Sequence, residues 1–408
     1  MDGARRRIII SFVTVAAAIG PASLRPQSGS APAVAAAVAP RPDTDTTRDT
    51  TYYITNRERK NGRLGRAVGD SLEFGMIITR FIEPAGLAPA GRLVTALSTL
   101  QTDSVRLSRT EFLTVLIAAN QRGTATEDGT ILYVHGYASS FRRGVSQGAE
   151  IAHRGSFHGP MIVFAWPAHK ALVTWPSAYA IISRAYRQDS AVAAKSHSAF
   201  RAALDAVLDV TPANTLTVVG HSLGAQLLAE ALHEPSSVRD SLAAAPLRAL
   251  VFFAPDISAE RFRDSLAAPM VEIATRRIVY ASTKDRMLTI SRLVNHSARA
   301  GQKGGETMLA TSDLELVDVA NGRLAVGGMR SLVDPKHAMR YASSALYDFF
   351  AVVRGVAAAC RTRDAMVERT GANSWKLTKA PIPVTTPTCG TDAASMRGGA
   401  ASCANCSG

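Results

Sequence analysis

The stretch TLTVVGHSLGAQLLAEAL, residues 215 to 232, limits the possible folds of this chain more than any other. It opens with β-branched and apolar residues, which suit a buried strand. It closes on leucines and alanines, which suit a helix. Between them lies Gly220-His221-Ser222-Leu223-Gly224. A strand that becomes a helix in one step forces the residue at the turn into a strained backbone conformation. A glycine on each side removes the side chains that would collide with the neighbouring helix and strand. The turn also stands at a helix N-terminus, where N–H groups and the dipole favour developing negative charge. An N-capping serine would explain the hydroxyl, but not the paired glycines. Ser222 is therefore the candidate nucleophile.

The same alternation extends along the chain. Short apolar strands are expected at ILYVHG (131 to 136), MIVFAW (161 to 166), TLTVVG (215 to 220), ALVFFA (249 to 254), RIVYAS (277 to 282) and LELVDV (314 to 319). Helices are expected between most of them, at 141 to 155, 189 to 210, from about 258 to 267, 287 to 301 and 336 to 360. This pattern predicts an α/β fold, a mostly parallel central sheet with helices on both faces. Upstream, YYITN, LEFGMIITRFIE and RLVTALSTL read as strands added antiparallel at the sheet edge. Ser108 and Glu111 form a capping box for the helix that follows.

A serine nucleophile needs a base and an orienting acid, and behind a turn of this kind they follow in the order serine, acid, histidine. Asp285 comes after RIVYAS and a short turn, Thr283-Lys284, which puts it at the carboxyl edge of the sheet beside Ser222. Asp256, closing the preceding strand, is the alternative acid. After Asp285 only His296 and His337 remain. His296 falls within a predicted surface helix, so His337, at the start of the final helix, is the candidate base. His135 and His221 flank the centre and read as support. An oxyanion hole needs two N–H donors. Leu223, just after the serine, supplies one, and Tyr137, in the loop after ILYVHG, supplies the other. The scheme uses no cofactor, and no metal-ligand spacing is present.

The motifs YVHGY-x-SSF, FAWP, GHSLG, FFAPDIS and YASTKDRML-x-ISR, with the late His337, together resemble one bacterial branch of the α/β-hydrolases, a domain family of unknown function. Tyr52-Tyr53-Ile54-Thr55-Asn56-Arg57 resembles its N-terminal signature. The resemblance runs from about 52 to 352. It implies the α/β-hydrolase fold and a serine hydrolase using Ser222, Asp285 and His337. Where that family often reads Gly-His, this chain reads Pro335-Lys336-His337, and the cysteine-bearing tail is an addition.

The expected reaction is cleavage of a carboxylic ester through an acyl-serine, on a small-molecule or acyl-ester substrate. An amidase or thioesterase would use the same triad. The alternative of another class is a non-catalytic envelope binding protein on a hydrolase fold. Residues 167 to 188, with Trp175, Tyr179 and Tyr186, could form a flap over the serine.

The rest of the chain reads as address and linker. Arg5, Arg6 and Arg7 precede the apolar run IIISFVTVAAAIG, so residues 1–22 read as an export signal, with an uncleaved membrane anchor as the alternative. Residues 23–50, rich in Ala, Pro, Ser, Thr and Asp, read as a disordered linker. The catalytic domain is expected over 51–360, and 361–408 as a poorly ordered tail. The four cysteines, Cys360, Cys389, Cys403 and Cys406, lie at or beyond the end of that domain and suit structural disulfides in an exported protein. A net charge of +13 suits transient contact with anionic envelope surfaces, whereas no zinc spacing or recognition helix supports specific nucleic-acid binding.

Overall fold

The computed structural model describes residues 44–95, 98–125, 128–169, 178–302, 314–323, 337, 339, 342–363 and 366–383. The expected export segment and most of the expected linker lie outside them. Among the described residues no helix is long and apolar enough to cross a membrane.

In chain order the strands are β1 (Thr44–Lys60), β2 (Arg63–Pro84), β3 (Ser98–Leu107), β4 (Thr130–Val134), β5 (Met161–Phe164), β6 (Leu216–His221), β7 (Leu247–Phe253), β8 (Ala274–Ala281), β9 (Glu315–Asp318), β10 (Val367–Gly371) and β11 (Ser374–Leu377). The main helices are α1 (Pro89–Val94), α2 (Arg109–Ala125), α3 (Phe141–Arg154), α4 (Ala178–Lys195), α5 (His197–Leu208), α6 (Leu223–His233), α7 (Ser237–Ala244), α8 (Arg286–Asn295) and α9 (Ser343–Val353). The strands form one sheet in the order β10-β11-β9-β8-β7-β6-β4-β5-β1-β2-β3.

All six strands read from the sequence are present, and from β9 to β5 they run parallel. Their continuous apolar runs follow from cover on both faces. Every residue of β4, β5 and β6 is buried. Successive residues feed opposite cores, as a pleat requires. Leu132, Val218 and Phe252 pack on the face that holds Phe112, Phe200 and Leu227. Tyr133, Val219 and Val251 pack on the face that holds Val145, Leu346 and Phe349.

The edges depart from expectation in four places. First, β1 begins at Thr44, so the end of the expected linker is already strand, paired with β2. β1 also pairs parallel with β5, which carries the antiparallel β1–β2–β3 meander onto the sheet as expected. Second, the start of RLVTALSTL is helical, with Pro89 at the head of α1, where its missing N–H costs nothing, and Leu93 buried; only its end joins β3. Third, the helix expected over 189 to 210 is two helices. They break at Ser196, whose hydroxyl bonds the Val192 carbonyl (2.9 Å) and accepts from Asn56 (2.9 Å), 140 residues upstream. Fourth, the tail expected to lack order supplies β10 and β11, with β11 parallel to β9. Trp375 and Leu377 alternate inward there, and the Arg361 guanidinium sits over the Trp375 ring at 4.8 Å. Cys360 is disulfide-bonded; the other three cysteines lie outside the described residues.

Candidate active site

Ser222 stands between the end of β6 and the start of α6 with φ 54 and ψ −120, a region that residues with a side chain seldom occupy. Its hydroxyl caps nothing in the helix it precedes. The conformation is held from both sides. Ser222 N–H donates to the Phe253 carbonyl at 2.9 Å, and its own carbonyl accepts from Ala225 (3.0 Å) and Asp256 (3.2 Å). The glycines meet the demand read from the sequence. A Cβ on Gly224 would overlap the carbonyl oxygens of Val134 and His135, and one on Gly220 would overlap the backbone of Ala225. Two further non-glycine residues with positive φ, Ala138 (φ 57) and Ala254 (φ 47), follow β4 and β7 at this carboxyl edge.

Asp285 and His337 come together although 52 residues separate them. His337 Nδ1 is 2.7 Å from Asp285 Oδ2, and both residues are buried. The other carboxylate oxygen accepts from Leu288 N–H at 2.9 Å, so Asp285 also caps α8. A carboxylate fixed in this way accepts a hydrogen bond from Nδ1–H, which keeps the proton on Nδ1 and leaves Nε2 as the basic nitrogen. His337 sits on a turn, ahead of α9 rather than at its first residue as expected. Its carbonyl is bonded by His221 Nε2 at 2.8 Å, with the two rings 5.0 Å apart. His221 therefore fixes the backbone that carries His337.

Asp256, the alternative acid, is committed elsewhere. Its Oδ1 lies 2.6 Å from Arg299 Nε and accepts from the Ser291 hydroxyl at 2.6 Å, while Arg299 also bonds the Asp256 carbonyl. His296 is the C-cap of α8, in the left-handed region at φ 51.

The two candidate oxyanion donors flank the serine. Among the described residues, neither Leu223, the first residue of α6, nor Tyr137 gives its backbone N–H to a protein acceptor. His135 supports the Tyr137 loop from beneath. Its ring stacks on Trp166 (5.4 Å between centroids), Trp166 Nε1 donates to the His135 carbonyl at 2.7 Å, and burial lowers the His135 pKa to about 3, so its ring is neutral. Tyr186, from the expected flap, lies in α4 with its ring 5.9 Å from that of Tyr137; Trp175 is outside the described residues, and no side-chain placement is described for Tyr179.

Two residues overlooked in the sequence hold that loop. Buried Asp189 accepts from Ala138 N–H (3.1 Å), His169 N–H (2.8 Å) and His169 Nδ1 (2.6 Å), tying the loop after β4 to the loop after β5; burial pushes its carboxyl above the usual range despite these donors. Arg57 bonds the carbonyls of Ala165 (3.2 Å), Trp166 (2.6 Å) and Ser139 (3.0 Å), and Thr55 Oγ1 bonds Ala165 (2.6 Å). With Asn56 on Ser196, the whole Thr55-Asn56-Arg57 run is a clamp. The signal was present in the signature, but its meaning depends on carbonyls more than 80 residues away.

The family model for alpha/beta hydrolases of unknown function (DUF900) matches residues 117–323, and the chain belongs to this family. No curated protein matches. Solved structures are similar at low identity. One described as a predicted CIB-like hydrolase from Thermoplasma acidophilum is 11% identical, covering 77% of this chain and 100% of that one, with a TM-score of 0.32. An esterase of Pyrobaculum calidifontis is 11% identical over 68% of this chain and 80% of its own (TM-score 0.28). A fungal esterase from Rhizomucor miehei is 12% identical over 77% and 83% (TM-score 0.27).

Proposed function

We propose that the chain hydrolyses carboxylic esters through an acyl-serine. Ser222 Oγ attacks the ester carbonyl while His337 Nε2 takes its proton. Asp285 holds the imidazole in the tautomer that permits this and stabilises the imidazolium. The N–H groups of Leu223 and Tyr137 receive the oxyanion. Collapse breaks the C–O bond, and His337 returns the proton to the leaving alcohol. Water, activated by the same imidazole, then releases the acid and restores Ser222.

The observation that carries this reading is the backbone of Ser222. A non-glycine residue held at φ 54, with its hydroxyl engaged in no cap, costs on the order of 1–3 kcal/mol, and such strain persists where a function requires it. The disulfide at Cys360 supports the expected export, since such bonds persist in oxidising compartments.

A fluorophosphonate probe tests the proposal. Wild-type protein should be labelled and Ser222→Ala should not. Absence of labelling in well-folded wild type would instead favour a binding protein on this fold. A series of chromogenic esters of graded acyl length, run beside the matching amides and thioesters, tests the substrate class.

A further inference from the structure

Beyond the serine, the same edge of the sheet carries a concave site. A cavity of about 620 Å³ opens where the β1–β2 ribbon meets the start of α3, and five arginines line it: Arg57, Arg59, Arg63, Arg66 and Arg142. Asp103 is the carboxylate of its lining. The cations are not equally neutralised. Arg59 is held by Glu73, with Nε to Oε2 at 2.6 Å. Arg63 and Arg66 form no ion pair with any described residue. Arg57 is buried with carbonyls hydrogen-bonded to its guanidinium; desolvation lowers its pKa to about 10, opposed by the nearby Asp189 carboxylate and reinforced to a smaller extent by the charge of Arg66.

Bringing several guanidinium groups together around open space is unfavourable unless an anion enters it. The first turn of α3 adds to the positive potential, since Ser140, Phe141 and Arg142 line the same cavity and a helix N-terminus favours anions. Arginine presents a planar fork of donors that matches phosphate oxygens, and forks from several directions suit a tetrahedral dianion better than a flat carboxylate. The volume exceeds that of a bare phosphate and leaves room for the group that carries it.

We propose that this cavity binds the phosphate group of a phosphate-bearing ligand, with the exposed Arg63 and Arg66 as its recognition elements and the charge of buried Arg57, whose N–H groups are held by carbonyls, behind them. Arg57 also bonds the Ser139 carbonyl, two residues from Tyr137, so the site borders the catalytic loop. The proposal does not depend on the hydrolase reading, because binding is measured without turnover.

The test uses the full chain and Ser222→Ala, titrated calorimetrically with inorganic phosphate and pyrophosphate at ionic strength held constant with potassium chloride. Saturable binding of pyrophosphate is expected, unchanged in Ser222→Ala and at least tenfold weaker in Arg63→Ala/Arg66→Ala. A parallel arm sediments the protein with vesicles of phosphatidylglycerol and with vesicles of phosphatidylcholine. Soluble binding without vesicle binding identifies a free phosphate compound, and retention on phosphatidylglycerol vesicles alone identifies a lipid headgroup; either counts only if the double variant loses it. Arg66→Glu, on the exposed ribbon, serves as a second variant and should abolish binding. The proposal is overturned if neither arm shows binding beyond the chloride control, or if the arginine variants bind as wild type does.

Discussion

Asp256 and Asp285 occupy equivalent places: each follows a parallel strand at the carboxyl edge of the sheet, β7 and β8 respectively, and each is buried. Their surroundings differ. Asp256 faces a guanidinium and a hydroxyl, Arg299 and Ser291, and binds them in a closed set. Asp285 faces a helix N–H and an imidazole, Leu288 and His337. One aspartate therefore ties down the segment from 291 to 299, and the other holds the His337 imidazole at Nδ1. Topology makes both positions available, and the partner side chain decides the use.

Substitutions should break that comparison in a graded way. Asp285→Asn retains an oxygen that can cap α8 but offers the wrong hydrogen-bonding pattern to His337. Its kcat on an ester should fall by roughly 10⁴-fold while the melting temperature stays near that of wild type. Asp256→Asn should do the reverse. It leaves Arg299 buried without a countercharge, so denaturant unfolding should report a loss of about 3–5 kcal/mol, and the protein that remains folded should keep its kcat. A smaller effect is expected one step removed, at His221→Gln. Weakening the bond to the His337 carbonyl should lower kcat by about tenfold with KM little changed, as steady-state kinetics would show.

The last effect is a slope with pH. His135 remains neutral when folded down to about pH 3, whereas in the unfolded chain it takes a proton near pH 6.5. The unfolded state therefore binds the extra proton between those values, and this residue's share of stability is lost as pH falls through that window, at about 1.4 kcal/mol per pH unit. In His135→Gln, stability measured between pH 6.5 and 3 should fall less steeply than in wild type.

Legibility in the sequence followed the range of the forces involved. The six parallel strands could be read because burial on both faces demands unbroken apolar runs, and the turn at Ser222 because close backbone approach demands glycine at 220 and 224. Asp285 could be separated from Asp256 only by preference, since both end strands; Arg299, the partner that occupies the Asp256 carboxylate, lies 43 residues beyond it. The β10–β11 hairpin was missed because only alternate residues of β11 are buried, and its short strands gain their order from β9. The break at Ser196 and the arginine cavity share a cause. Both are made by residues of the β1–β2 ribbon reaching elements far along the chain, and no local pattern encodes such a meeting.

The rate at which a fluorophosphonate labels Ser222 in the two asparagine variants, compared at a temperature where both are folded, tests the triad most directly. Asp285→Asn should react orders of magnitude more slowly than wild type, and Asp256→Asn at close to the wild-type rate. Equal rates in the two variants, or a slow Asp256→Asn beside a fast Asp285→Asn, would contradict the assignment of Ser222, His337 and Asp285 as one catalytic unit.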